Sequence, residues 1–195
     1  MTAKRQLRTV VHEVDQIDRV VYAAVAGTAT PTLDRGMRRL SDSANNSRLW
    51  LGIAAGLAFL GPRGRRAAIT GACAIGLTSA LVNLTMKTTV VRGRPDRAAA
   101  EVAASRHVRM PTSTSFPSGH AASAFAFATA VADVLPPASI PLHALATGVA
   151  YSRVHTGVHY PGDVMAGSLI GALAGAAVGR IFRRSLRSAR TRAGS

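Results

Sequence analysis

Three short polar segments carry the residue types that could bind a phosphate group and transfer it. They are 87–95, which reads KTTVVRGRP, 117–120, which reads PSGH, and 152–163, which reads SRVHTGVHYPGD. Arg94 and Arg153 can each direct two N–H groups at the oxygens of one phosphate, and Lys87 adds a compact positive charge. The backbone N–H groups of Ser118 and Gly119 precede an apolar stretch and can also point at the anion. We therefore predict a phosphate site formed by these five residues, in which protein donors stabilise the charge.

The third segment also holds reacting groups. His159 and Asp163 are four residues apart, and Pro161 between them favours the first turn of a helix. The carboxylate can accept a hydrogen bond from one imidazole nitrogen and leave the other nitrogen as a nucleophile. His120 can protonate the departing oxygen, after which water cleaves the phosphohistidine. We predict that His159, His120 and Asp163 are the catalytic residues.

Two other interpretations of the third segment exist. His155, His159 and Asp163 follow one another at intervals of four, a spacing that a metal site on a helix could use. Gly157 and Pro161 interrupt such a helix, and the nearby cations repel a divalent ion, so we predict no metal and no other cofactor. The pair His159 and Asp163 could also be a satisfied contact at a helix start, which the other two segments make a weaker interpretation.

The remaining polar residues receive supporting or passive roles. Ser152 is expected to orient a neighbour through a hydrogen bond, and Pro95 and Pro117 are expected to support the site. Four arginines are expected to face solvent or lipid headgroups: Arg92, Arg97, Arg106 and Arg109. Three histidines are expected to take no part in the chemistry: His12, His107 and His143.

Apolar segments must position these residues. They cover residues 49–61, 67–86, 121–135, 138–152 and 163–182. Crossing about 30 Å of hydrocarbon takes about 20 helical residues. Segments 67–86 and 163–182 reach that length, and the other three need flanking residues to cross. We predict an all-α, polytopic membrane helical bundle of five to six helices, of which the N-terminal helix is amphipathic.

Length, composition and charge agree with this architecture. Of the 195 residues, 48% are hydrophobic and only 5% aromatic, which suits closely packed helices of small residues. The net charge of +15 comes from basic residues that flank the apolar segments, which favours a membrane protein over a nucleic-acid-binding one. We predict one membrane phosphatase domain over 1–195, with an amphipathic and basic region at 1–48, a helical core at 49–182 and a disordered basic tail at 183–195.

Two local patterns refine this picture. Residues 10–27 alternate valine and isoleucine with charged residues, which predicts a helix that lies in the membrane interface and ends before Pro31. In the last apolar segment glycine recurs every four residues, at Gly167, Gly171, Gly175 and Gly179. Segment 67–86 repeats this spacing with alanine and glycine, so we predict that these two helices touch.

Counting the crossings places all three polar segments at one end of the bundle. One crossing ends at Lys87, the next begins at His120, the chain returns at Ser152, and it departs again at Asp163. The opposite end receives the arginines at 63–66 and after residue 179, and the positive-inside rule makes that end cytoplasmic. We therefore predict a multi-pass plasma-membrane protein whose active site faces the extracytoplasmic side.

The same residues resemble the type-2 phosphatidic acid phosphatase family of lipid phosphatases, which shares its site with the vanadium haloperoxidases. The family pattern is Lys-x6-Arg-Pro, Pro-Ser-Gly-His and Ser-Arg-x5-His-x3-Asp, and all eleven fixed positions match here. The resemblance covers about residues 67–182. It implies a metal-independent helical membrane phosphatase with His159 as the nucleophile and His120 as the acid.

The expected reaction is hydrolysis of a lipid phosphate or diphosphate. Candidate substrates are phosphatidic acid, phosphatidylglycerol phosphate, a polyprenyl diphosphate and a polyprenyl phosphosugar. The expected partners are this substrate and membrane lipids, without nucleic acid. A haloperoxidase is an alternative of related chemistry, although those proteins are larger and soluble. The alternative from a different class is a non-enzymatic, basic, membrane-anchored scaffold that binds anionic lipid or nucleic acid.

Overall fold

The computed structural model describes residues 3–86 and 90–193 of the chain, and within these ranges it is helical and contains no strand. Within the described residues seven α-helices follow one another: α1 Ala3–Gly27, α2 Pro31–Ser43, α3 Arg48–Ala58, α4 Gly61–Leu81, α5 Gly119–Val134, α6 Ser139–His155 and α7 Pro161–Ala193. A π-helical segment, Val82–Met86, extends α4. The predicted all-α class is confirmed.

Helix α5 is the centre of the bundle and contacts α4, α6 and α7. Small side chains allow this position, since Ala122, Ala126 and Ala130 are completely buried. Phe127 of α5 packs on Trp50 of α3, and the centroids of the two rings are 5.4 Å apart. A helix surrounded on several sides fixes the residues at its N-terminal end, which belong to the second polar segment.

The glycines of α7 pack on α5. A Cβ atom added at Gly171 would lie 2.1 Å from the carbonyl oxygen of Ala122, and one added at Gly175 would lie 2.5 Å from that of Ala126. As predicted, α4 and α7 touch, but the glycine stripe itself packs on α5 rather than on the stripe of small residues on α4. At Gly76 an added Cβ would meet nothing within 4 Å, because α4 turns a different face inward.

Two helical stretches, Gly61–Leu84 and Pro161–Ser185, are long and apolar enough to cross a membrane. Helix α3 has 11 residues and measures only about 17 Å, roughly half of the hydrocarbon thickness. Helices α5 and α6 have 16 and 17 residues, so crossing by these two also needs flanking residues. The crossing of α3, α5 and α6 stays a prediction.

The amphipathic N-terminal helix packs through its polar edge. In α1, Asp18 and Tyr22 are buried, whereas Val14, Ile17 and Val20 are more than half exposed. Asp18 accepts a hydrogen bond from the backbone N–H of Gly162 at 2.6 Å, which fastens α1 to the start of α7. The apolar edge is thus free to meet lipid, as an interfacial helix requires. As expected, the helix ends before Pro31, which begins α2.

The C-terminal end of the described chain differs from the expectation. We expected a disordered tail from residue 183, but α7 continues to Ala193. The stretch 180–193 contains neither proline nor glycine and is rich in arginine, which favours helix, so no residue in it stops the helix. Near residue 183 the helix borders a cavity that is also lined by Arg63 and Arg66, so the arginines of both long helices meet at one end of the bundle.

Candidate active site

Arg94 brings the first polar segment onto the third. Its Nη1 donates to the carbonyl oxygen of Val158 at 2.7 Å and lies 3.3 Å from Nε2 of His159. Its other nitrogens donate to the carbonyl oxygens of Ser113 at 3.0 Å and Thr114 at 3.1 Å. Because a guanidinium group has only donors, Nε2 of His159 must accept in this contact. The imidazole then carries its proton on Nδ1 and keeps a lone pair on Nε2.

Asp163 lies on the other side of this imidazole. Its Oδ2 is 3.5 Å from Nδ1 of His159 and accepts hydrogen bonds from the backbone N–H of Tyr160 at 2.9 Å and from the hydroxyl of Ser115. The side chain is completely buried. The carbonyl oxygen of Asp163 also accepts from the backbone N–H of Ser118 at 2.9 Å, which joins the second polar segment to the third. The three segments therefore meet at one end of the bundle.

Burial determines the protonation state of His159. The side chain is only 2% exposed, and removal from water lowers its pKa to about 4, an effect that Arg94 and Arg153 increase and Asp163 opposes. The imidazole is therefore neutral at pH 7. A neutral ring with an unprotonated Nε2 is the form that can attack phosphorus.

Arg92 lies inside the site rather than at the surface. We expected it to face solvent or headgroups, but its Nη1 lies 2.7 Å from Oδ1 of Asp163, and its nitrogens lie 2.7 Å from Asp15 and 2.8 Å from Asp18. It also stacks over the ring of Tyr160, 4.5 Å from the centroid. Although burial works against the charged guanidinium, hydrogen bonds to these carboxylates raise the pKa of Arg92. The carboxylates come from α1 and α7, distant in sequence, so no local pattern could reveal the contact.

Arg153 and Ser152 occupy adjacent positions at the end of α6 and behave differently. Arg153 is 1% exposed and donates through Nη1 to the backbone oxygen and the hydroxyl of Ser41. Its Nε is buried and has no hydrogen-bond partner among the described residues, as expected of a donor that awaits an anion. We expect Ser152 to orient a site residue, but its hydroxyl donates to the carbonyl oxygen of Val149 at 2.7 Å, within the same helix.

His120 stands at the N-terminal end of α5. Its Nε2 lies 2.9 Å from Oδ1 of Asn45, a partner on the turn before α3 that no motif indicated. The ring is partly exposed and borders two cavities, of about 230 and 470 Å³. Gly119 is partly exposed and lines the smaller of them. His120 thus combines a polar partner with open space for a substrate.

The other predicted residues divide into several cases. The backbone N–H of Ser118, expected to face the anion, instead donates to the carbonyl oxygen of Asp163. Ser118 is completely buried, and its side chain caps α5. Pro95 and Pro117 are buried, and the peptide bond before Pro117 is cis. Lys87 lies outside the described residues, so its role stays a prediction.

Asp34 forms a second cluster with the same residue types. Its Oδ1 lies 2.8 Å from Nε of Arg106 and 3.1 Å from Nε2 of His155, and all three side chains are buried. The burial of Arg106 corrects the expectation that it faces solvent or headgroups. Arg97, for which we expected the same, is half-buried and donates to the carbonyl oxygen of Val108 at 2.8 Å. Arg109 is exposed as expected. His155 and His159 therefore face different carboxylates.

Comparison with known proteins identifies the family of the chain. The sequence profile of the PAP2 superfamily matches residues 68–187. The chain belongs to the PAP2 superfamily. It is 36% identical over 154 residues to the decaprenylphosphoryl-5-phosphoribose phosphatase of Mycolicibacterium smegmatis, which covers 78% of this chain and 80% of that protein. The protein of the same description from Mycobacterium tuberculosis H37Rv is 37% identical over 143 residues, covering 72% of this chain and 76% of that one.

Two solved structures share the fold. The transmembrane PAP2-type phosphatidylglycerolphosphate phosphatase from Bacillus subtilis superposes with a TM-score of 0.70 and 25% identity, covering 88% of this chain and 87% of that one. Aquifex aeolicus LpxE superposes with a TM-score of 0.62 and 24% identity, covering 81% and 92%. The predicted family, the helical membrane architecture and the phosphatase class are confirmed. The alternative of a non-enzymatic scaffold is therefore set aside.

Proposed function

We propose that this protein removes a terminal phosphate from a lipid-linked phosphate at the membrane surface, through a phosphohistidine formed on His159. One observation carries the proposal. The two imidazole nitrogens of His159 have different partners, Asp163 on Nδ1 and Arg94 on Nε2. This arrangement fixes the tautomer, leaves Nε2 as the nucleophile and places a phosphate-binding cation beside it.

In the first step Nε2 of His159 attacks phosphorus while the bond to the leaving oxygen breaks. Arg94 and Arg153 bind the phosphate oxygens, and the unpartnered Nε of Arg153 supplies a donor for one of them. Asp163 stabilises the positive charge that develops on the imidazole, and His120 donates a proton to the leaving oxygen.

In the second step a water molecule attacks the phosphohistidine and the N–P bond breaks. His120, now neutral, takes the proton of that water, inorganic phosphate leaves, and His159 returns to its neutral form. No step uses Ser118 through its backbone N–H, since that group bonds to Asp163. Gly119, at the open N-terminal end of α5, is the better backbone donor to the phosphate.

The relatives suggest which lipid carries the phosphate. The mycobacterial relatives are described as phosphatases of decaprenylphosphoryl-5-phosphoribose. We assign a polyprenyl-linked phosphosugar of this kind as the preferred substrate class. Phosphatidic acid, phosphatidylglycerol phosphate and polyprenyl diphosphates are secondary substrates.

The distribution of basic residues and the number of membrane crossings support a location and an orientation for the protein. We place the single domain 1–195 in the plasma membrane as a multi-pass protein with its arginine-rich end in the cytoplasm. The cavity lined by Arg63, Arg66 and Arg183 supports that orientation, since it collects basic residues at the end opposite to His159. The active site then faces the extracytoplasmic side.

A substrate panel tests the proposal. Release of inorganic phosphate is measured with purified protein in detergent on a polyprenyl-phosphoryl-5-phosphoribose, phosphatidic acid, phosphatidylglycerol phosphate, a polyprenyl diphosphate and free ribose 5-phosphate. The expected result is the highest kcat/KM on the lipid phosphosugar and a value at least about 100-fold lower on the soluble sugar, with no turnover by His159→Ala. Equal rates on soluble and lipid-linked sugar, or turnover by that variant, would contradict the proposal.

A further inference from the structure

The position of the proton donor determines where the leaving group must lie. His120 protonates the oxygen that departs, so the rest of the substrate remains on the His120 side of the phosphate. Two cavities border His120 there. The smaller cavity, of about 230 Å³, is lined among others by Ser79, Val82, Asn83 and Ser123.

The second cavity has a different character. This arginine cavity, of about 470 Å³, is lined among others by Asn45, Asn46, Arg48, Arg109 and Ser113. No carboxylate lines it, and neither arginine has a carboxylate within ion-pair distance among the described residues. By contrast, five arginines around the active site donate to protein oxygens: Arg92, Arg94, Arg97, Arg106 and Arg153. Two uncompensated guanidinium groups in one cavity create a site for an anion.

The arginine cavity adjoins the phosphate site directly. Ser113 lines the cavity, and Arg94 donates to its carbonyl oxygen through Nε at 3.0 Å and contacts its hydroxyl through Nη2 at 3.3 Å. His120 lines the same cavity on another side. A substrate whose terminal phosphate is bound by Arg94 can therefore extend past His120 into this cavity without leaving the protein surface.

We propose that the arginine cavity binds a second phosphate group of the substrate, a phosphodiester separated from the terminal phosphate by a short polyol or sugar. Arg48 and Arg109 bind the diester oxygens, and the amides of Asn45 and Asn46 face the hydroxyl groups of the spacer. The volume lies in the range of small-ligand pockets, about 300–1,000 Å³. This inference rests on the proposed function and narrows it to lipids that carry two phosphates.

The phosphodiester is not cleaved in this scheme. It has no position near Nε2 of His159, because the terminal phosphate occupies that place, and its role is to raise affinity. A lipid with one phosphate leaves the two arginines without an anion, so it forfeits their contribution to binding.

Two lipids with the same acyl chains test the inference. Dioleoyl phosphatidylglycerol phosphate carries a terminal phosphate, a glycerol spacer and a phosphodiester, whereas dioleoyl phosphatidic acid carries the terminal phosphate alone. We expect Arg48→Ala and Arg109→Ala each to lower the ratio of kcat/KM for the first lipid over the second by about tenfold, mainly through KM. The lysine variants should restore part of the ratio, and Arg65→Ala, at the far end of α4, serves as the matched control.

The outcomes distinguish the second phosphate site from the proposed phosphatase activity. A ratio that falls only in the Arg48 and Arg109 variants supports the second phosphate site. A ratio that stays unchanged, including an equal loss on both lipids from poorer folding or membrane binding, overturns it while the phosphatase assignment stands. If the wild-type protein hydrolysed neither of these lipids nor the polyprenyl phosphosugar, the proposed function itself would be overturned, and the inference with it.

Discussion

Two clusters in this protein contain the same three residue types and differ in what surrounds them. Asp163 contacts His159 and Arg92, and Asp34 contacts His155 and Arg106. The two histidines are only four residues apart.

What distinguishes the clusters is the second nitrogen of each imidazole. Nε2 of His159 faces Arg94, which in turn contacts Ser113 at the wall of the arginine cavity. Nδ1 of His155 is buried and has no hydrogen-bond partner among the described residues. A histidine–carboxylate pair is therefore reactive only when the free nitrogen meets a binding site for the substrate, and the same pair without such a site stabilises the fold.

The largest difference should appear when each histidine is removed. His159→Ala should lower kcat by more than about 10³-fold, because the nucleophile is lost. His155→Ala should keep kcat per folded molecule within about tenfold and should lower the free energy of unfolding by about 1–3 kcal/mol, because Asp34 loses a partner. Phosphate release and thermal unfolding of both variants measure these effects, and the opposite ranking would assign the nucleophile to His155.

Substitution of the two carboxylates should likewise affect activity in one cluster and stability in the other. Asp163→Asn should lower kcat roughly 10³- to 10⁴-fold, because the amide can no longer fix the imidazole tautomer. Asp34→Asn should instead cost about 3–5 kcal/mol of stability, because Arg106 becomes a buried cation without its anion. Denaturant unfolding and kcat are measured for both variants. A larger loss of stability in Asp163→Asn together with a larger loss of kcat in Asp34→Asn would contradict this assignment of roles.

Arg92 should act on His159 through Asp163. The charged groups around this pair are Arg92, Arg94 and Arg153, with Asp15 and Asp18 beyond Arg92. Arg92→Ala leaves the Asp163 carboxylate less compensated, so protonated His159 is favoured and its pKa rises.

Since the neutral imidazole is the active form, kcat/KM is lost as the pH falls through that pKa. The acid limb of the pH profile in Arg92→Ala should therefore move to higher pH, by about half to one unit. Arg92→Lys should restore part of the shift, and Arg106→Lys should leave the limb in place. A loss of activity in Arg92→Ala without movement of the limb would make Arg92 a merely structural residue.

The smallest expected effect is that of chelation. His155 and His159 face different carboxylates, so they do not share a metal site, and EDTA should leave kcat unchanged. Vanadate should inhibit by occupying the phosphate site as a five-coordinate mimic. Loss of activity in EDTA that Mg²⁺ restores would support the metal interpretation of the spacing at 155, 159 and 163.

The sequence predicted those parts of the site that are encoded locally. The spacing of His159 and Asp163 across a proline, and the alternation of apolar and polar segments, are properties of short stretches that helical geometry converts into position. The same reasoning could not find Ser115, Asn45 or the contacts of Arg92, since each partner comes from a distant part of the chain.

Two features of the packing leave no local pattern in the sequence. The glycine spacing of α7 predicts a face that allows close packing, and the predicted contact with α4 is present, but the spacing does not show that the glycines themselves meet α5. Arg106 was assigned to solvent, because the buried carboxylate that holds it, Asp34, lies 72 positions away in the chain. Buried ion pairs of this kind leave no periodic signal in a sequence.

Rapid quenching of a single turnover with lipid substrate labelled in its terminal phosphate tests the central claim most directly. The account predicts an acid-labile, base-stable phosphoryl group that mass spectrometry locates on His159 in the wild-type protein and that is absent in His159→Ala. A phosphoryl group on His155, or complete turnover without any labelled enzyme, would contradict it.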